Sequence, residues 1–242
     1  MRPARLAVIL VAHGSRDPRA ASSTASLVRA VAVAHPGWEV HAAYLDHAGP
    51  RPVDVLSRLA AAGHRHAVVV PLLLTAAYHG KVDVPAVVGQ ARDAGLGIRV
   101  SITEVLGPSS DLLLDALVQR LGDASSLDAV VLAAAGTRDA AARETVAAAA
   151  ADLGARLGVP SAVAYSSAAP PMAGDAVRSL GAARVGVAAY FLAPGRLYDI
   201  AVESALAAGA VVVAPPLGAA SELVALVSSR VDATVGQYAA AA

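Results

Sequence analysis

The chain carries one pattern twice. "AVILVAHGSRDPRAAS", starting at Ala7, aligns with "AVVLAAAGTRDAAARE", starting at Ala129. Further on, "AAYLDHAGP" (42–50) matches "VAYSSAAP" (163–170), and "VVVPLLLTAAYHGKVDV" (68–84) resembles "VGVAAYFLAPGRLYDI" (185–200). The order is the same in both halves, so whatever supersecondary plan the first half adopts, the second must be able to adopt as well. Turn formers in "GDASSLD" (122–128) mark the join. The expected domains are residues 1–124 and 125–242.

Within each half, short apolar runs alternate with amphipathic stretches. The runs at 6–12, 39–45, 67–74 and 98–106, and again at 129–135, 161–166, 184–192 and 210–214, read as strands. They are nearly continuous in Val, Leu, Ile and Ala rather than alternating, which suits parallel strands covered on both faces. The segments between them carry helix signals: Asp17 is placed to cap a helix whose first position is Pro18, and Leu27, Val28, Val31 and Ala34 supply its apolar stripe. The expected class is α/β, as two tandem flavodoxin-like domains, each a four-stranded parallel sheet flanked by helices.

Composition narrows what such a chain can do. Nineteen basic and nineteen acidic side chains cancel, so no global field draws it to nucleic acid or to an anionic membrane. The absence of cysteine excludes disulfides, thiolate metal sites and a cysteine nucleophile. The longest internal apolar run, 67–78, is too short to span a bilayer and contains Pro71. The first residues have the arginines and apolar stretch of a signal peptide, but His13 and charges follow where a small-residue cleavage site belongs. A cytoplasmic protein, monomeric or homodimeric, is expected.

Ligands of open parallel sheets bind outside the carboxyl ends of the strands. That rule selects His13 at the end of the first strand, Asp46 at the end of the second and His79 a few residues past the third. A histidine ending a strand is commonly structural; what raises these two is that the first and third strands are neighbours in a flavodoxin-like order, so the imidazoles can face one crevice. Imidazole suits iron, cobalt, nickel or zinc. Asp46 is either a ligand, a proton acceptor or a solvated loop acid. His47 adjoins it. His35, His41, His64 and His66 read as surface residues away from this edge. After His13, Gly14 suits a tight turn, and Ser15 and Arg16 precede a helix N-terminus, a place that favours anions; Arg16 can bind a carboxylate or pair with Asp17. No Walker pattern or GxGxxG follows a strand, so no nucleotide is expected.

These motifs, "VAHGSRDP", "AAYLDHAGP" and "VVVPLLLTAAYHGKVDVP", resemble the signatures of the sirohydrochlorin chelatases, the CbiX and SirB group of class II tetrapyrrole chelatases, over both halves. The resemblance implies insertion of a divalent metal, ferrous iron or cobalt, into sirohydrochlorin without nucleotide. It implies that His13 and His79 hold the metal and that Asp46 stands at the family's acidic position, one methylene shorter than the usual glutamate. The family's second histidine usually follows Gly-Arg; here Ala77 and Tyr78 precede it. If that arginine grips a substrate carboxylate, Arg16 or Lys81 must replace it. The second half has Ala135, Ser167 and Leu197 at the three positions, so it is read as a cradle for the macrocycle, with Arg138 and Arg196 meeting peripheral carboxylates.

Other readings of the same residues are a non-catalytic tetrapyrrole or metal carrier, a histidine phosphatase suggested by "AHG" although Ala12 replaces the arginine such enzymes need, and an inactive structural pair.

Overall fold

The computed structural model describes residues 5–75, 84–108 and 110–241. The first sheet contains β1 (Leu6–Ala12), β2 (Trp38–Tyr44), β3 (His66–Pro71) and β4 (Arg99–Ile102), in the order β2-β1-β3-β4. Every neighbouring pair is parallel. Between the strands run α1 (Pro18–Ala34), α2 (Pro52–Ala61) and α3 (Val84–Asp93). The second sheet repeats the plan as β6-β5-β7-β8, from β5 (Ala129–Ala134), β6 (Ser161–Tyr165), β7 (Val185–Tyr190) and β8 (Val212–Val213), again all parallel. The expected α/β class and both parallel sheets are present.

Continuous apolar sequence in β1 follows from its central place. Ala7 through Val11 are wholly excluded from solvent. Ala7, Ile9 and Val11 share one face and pack with Val55, Leu56 and Leu59 of α2 and Val84 and Val87 of α3. Val8 and Leu10, of opposite parity, point to the other layer. Fully burying a Val, Leu or Ile side chain is worth roughly 1.5–3 kcal/mol, so this strand anchors both layers. The cap reads as the sequence predicts: the Asp17 carboxylate accepts the Arg19 N–H at 2.9 Å, and Pro18 opens α1. Asp17 also pairs with the Arg19 side chain at 2.6 Å, so its partner is Arg19 and not Arg16.

Packing divides the chain differently from the repeat. One compact unit comprises Met1–Leu106 with Val224–Ala242, and the other Gly107–Leu223. α4 (Asp111–Leu121), which closes the first repeat in sequence, lies in the second unit, where Asp111 and Asp115 pair with Arg156 of α5 (Ala140–Leu157). There Arg120 donates to the Leu217 carbonyl at 2.6 Å, and the Tyr190 hydroxyl donates to that of Pro108. Conversely, most of α8 (Ser221–Ala241) belongs to the first unit: Ser228 bonds His35 at 2.6 Å, and Arg230 donates to the Val105 carbonyl at 3.1 Å. The remaining helices of the second unit are α6 (Ala173–Ser179) and α7 (Arg196–Ala207). Among the described residues no helix is long and apolar enough to cross a membrane.

The four histidines expected on the surface are instead half-buried, because each has a partner to satisfy it. His35 stacks on Trp38 with ring centroids 3.8 Å apart, and His66 bonds Ser101 at 2.7 Å. His41 and His64 grip one carboxylate, that of Glu39, at 3.0 and 3.1 Å. The His41 hydrogen bond is the main reason the Glu39 carboxyl lies below its ordinary value of 4.5; desolvation opposes the shift and His64 reinforces it. A lowered carboxyl stabilises the fold above its unfolded pKa, and that stability is lost as pH falls through the folded value. Glu39 is partly exposed, so screening limits the effect to less than about 1 kcal/mol. We expect Glu39→Gln to melt slightly earlier than the parent near neutral pH and to lose less stability than the parent between about pH 5 and pH 3. Parallel melts across that range would show identical slopes if the cluster contributed nothing.

Candidate functional site

Three adjacent strands of the first sheet, β2, β1 and β3, end level with one another: Ala12 pairs with Tyr44, and Val11 with Pro71. Beyond β1 and β2 the pairing continues through the connecting loops. Leu45 donates its N–H to the Ala12 carbonyl at 3.0 Å, and Asp46 donates its N–H to that of His13 at 2.8 Å. Asp46 is thereby held in register with His13 at the carboxyl edge of the sheet.

This approach depends on Gly14. Its φ is +95°, and a Cβ there would sit 1.8 Å from the Asp46 carbonyl oxygen. Gly136, in the second unit, has the same φ, and its Cβ would lie 1.9 Å from the Ser167 carbonyl oxygen. The Ser15 hydroxyl accepts the Asp17 N–H at 3.0 Å, and Thr137 does the same for Asp139 at 3.2 Å. Gly14 and Ser15 therefore serve a turn that both copies share, whatever they contribute to a ligand. The chemistry differs between copies: Ala135 follows β5, and the Ser167 hydroxyl donates to the Ala135 carbonyl at 2.7 Å.

Asp46 is exposed, and its Oδ1 accepts the His47 N–H at 2.7 Å. That hydrogen bond is the largest cause of a carboxyl pKa below the usual 3.8; desolvation opposes it, and the charges of His47, Arg51 and His13 add to it. The acid is ionised at neutral pH and carries a negative charge at the strand ends. His13, Asp46, Arg51, Pro52, Val87 and Gln90 are among the residues lining an open cleft of about 470 Å³. It runs from the strand ends to the N-terminal turn of α2 and to α3.

Arg51 was not singled out by sequence reasoning. It stands at the N-cap of α2, its side chain donates to the Leu45 carbonyl, and its Nη2 is 3.7 Å from Asp46 Oδ1. "GPRP" held the signal: a proline at the first helical position puts the preceding residue at the cap, hence at the carboxyl edge of the sheet. Gln90 gave no comparable signal.

The structure thus brings His13 and Asp46 together. His79 and Lys81, with Ala77 and Tyr78, lie outside the described residues. Arg16 is exposed near the cleft's edge of the sheet. Arg138 and Arg196 are exposed at the carboxyl edge of the second sheet, Arg138 after β5 and Arg196 as the first residue of α7. Among the described residues, no group of three or more His, Asp or Glu side chains is placed to hold a metal ion.

A duplicated open parallel sheet, with an imidazole and a carboxylate lining one cleft at the carboxyl edge of the first copy, defines a tandem α/β protein with a candidate ligand site on that edge. The chain belongs to the CbiX family, whose sequence model matches it twice, over residues 7–124 and 129–234. Among solved structures, it is similar to SirB from Bacillus subtilis with Fe3+, at 23% identity over 95% of each chain and a TM-score of 0.80. It is also similar to the sirohydrochlorin chelatase SirB from Bacillus subtilis subspecies spizizenii in complex with cobalt, at 23% identity over 95% of each chain and a TM-score of 0.78. A third likeness is to CbiX, the terminal enzyme for biosynthesis of siroheme in denitrifying bacteria, at 21% identity over 95% of this chain and 99% of that one, with a TM-score of 0.66. These are likenesses of fold over nearly the whole length. No curated protein sequence matches the chain.

Proposed function

We propose that the chain is a metal chelatase that inserts ferrous iron or cobalt into sirohydrochlorin, in the cytoplasm and without nucleotide. Family membership supports the class, and the SirB structures carrying Fe3+ and cobalt support the choice of metals. The observation that carries the reading is local. On a turn that both copies build in the same way, only the first adds His13 and Asp46.

Metalation requires that a divalent ion lose water, that the pyrrole nitrogens lose protons and that ion and ring meet. An imidazole with an ordinary pKa of about 6.5 can hold a borderline metal or take up a proton near neutral pH. Asp46, held ionised by the His47 N–H, supplies the second charge-accepting group. In this reading His13 and His79 hold the metal and Asp46 either completes the site or receives a pyrrole proton. Gly14, Ser15, Arg16, Lys81, Arg138 and Arg196 are assigned to substrate contact, the cationic side chains to its peripheral carboxylates.

Anaerobic incubation with sirohydrochlorin and Fe2+ or Co2+, followed by absorbance, tests this. The expected result is metal insertion well above the protein-free rate in the absence of ATP. Tight tetrapyrrole binding with insertion no faster than without protein would make the chain a carrier instead.

A further inference from the structure

The turn after β2 places a second imidazole beside the first. His47 has φ 58°, and Ala168, at the matching place after β6, has φ 64°. The left-handed backbone therefore belongs to the repeated turn, and the imidazole is an addition made in one copy only. From this position the His47 ring meets His13 edge-on, with centroids 6.0 Å apart and planes at 90°. Its Nε2 lies 3.6 Å from Asp46 Oδ2.

We propose that His13 and His47 form a two-imidazole capture site for the divalent ion, a ligand pair distinct from that of His13 with His79. The inference rests on the chelatase reading and adds a metal contact to it. Two imidazoles sharing one ion at metal–nitrogen distances of about 2.1 Å place their centroids roughly 5–6.5 Å apart. The observed 6.0 Å falls within that span. The Asp46 carboxylate, 3.6 Å from the His47 ring nitrogen, favours a cation there. Both rings are exposed, so an ion can reach them from solvent. Two imidazoles hold an ion weakly enough to surrender it to a macrocycle offering more nitrogens.

The test is an anaerobic titration of the full-length protein with CoCl2 in the absence of tetrapyrrole, read by visible d–d absorption and by calorimetry. His47→Ala should weaken Co2+ binding at least about tenfold. Alanine suits the position, because Ala168 occupies the same turn with nearly the same φ; a melt confirms that the variant is folded. His13→Ala should weaken binding similarly, and the double variant should lose less than the sum of the two, as residues sharing one ion must. Unchanged Co2+ affinity in His47→Ala, or strictly additive losses, would overturn the capture site. If such a result accompanied normal metal insertion by the parent, the chelatase reading would stand alone. Conversely, coupled Co2+ binding by a parent that does not metalate sirohydrochlorin would uphold the capture site and reject the chelatase reading.

Discussion

Alanine in place of His13 is expected to reduce metal insertion into sirohydrochlorin by at least about a hundredfold, the scale on which a positioned acid–base or ligand group contributes. The fold should survive. His13 follows the last residue of β1, is exposed, and has no part in the buried cluster of Ile9 and Val11. Substitution at such a place changes stability by no more than about 1 kcal/mol. The same loss is expected for His79→Ala, since the family resemblance assigns it the second metal contact. His64→Ala and His66→Ala provide the contrast: they break bonds to Glu39 and Ser101 at the amino edge of the sheet, so they should lower the melting temperature modestly and leave the insertion rate near that of the parent. Steady-state rates and thermal melts on the four variants separate the two behaviours. A His13→Ala protein that metalates at the parental rate would refute the assignment of the site.

Gly136→Ala is expected to destabilise the protein by more than about 3 kcal/mol although it touches none of the proposed chemistry. Two costs combine. The added Cβ would lie 1.9 Å from the Ser167 carbonyl oxygen, a backbone atom that cannot swing aside, and the residue must keep a φ of +95°. Gly14→Ala meets the same obstacle, at 1.8 Å from the Asp46 carbonyl, and should lose insertion activity together with stability, because relieving the clash moves Asp46 out of register with His13. Gly63 isolates the conformational part: its φ is +93° with nothing within 4 Å of the added carbon, so Gly63→Ala should cost only about 1–2 kcal/mol. Urea unfolding of the three variants gives the comparison. Were Gly136→Ala to unfold within about 0.5 kcal/mol of the parent, the close approach of the two loops could not be the reason for the glycine.

These experiments treat the second repeat as an internal control for the first. Gly14 and Gly136, Ser15 and Thr137, His47 and Ala168 show that turn geometry does not depend on the candidate chemistry: the turns recur in detail, whereas the His13 and His47 imidazoles and the Asp46 carboxylate have no counterpart at the matching positions. Comparing the halves by sequence already reveals the missing donors. Only the coordinates show that the shared glycine answers to a carbonyl oxygen in the neighbouring loop.

Much of the architecture was readable in one dimension because it depends on short-range physics. Strands such as Ala7–Val11 announce themselves by unbroken apolar runs, the start of α1 by Asp17 and Pro18, and the duplicated sheet by the recurrence of both signals in order. The edge on which His13 and Asp46 lie follows from strand direction in a parallel sheet. Long-range proximity was not readable. No local pattern reports that Arg51 reaches the Leu45 carbonyl, that His41 and His64 share Glu39, or that α4 packs in one unit and most of α8 in the other. Periodicity and capping act within a few residues along the chain, whereas those contacts depend on which distant segments the hydrophobic cores bring together.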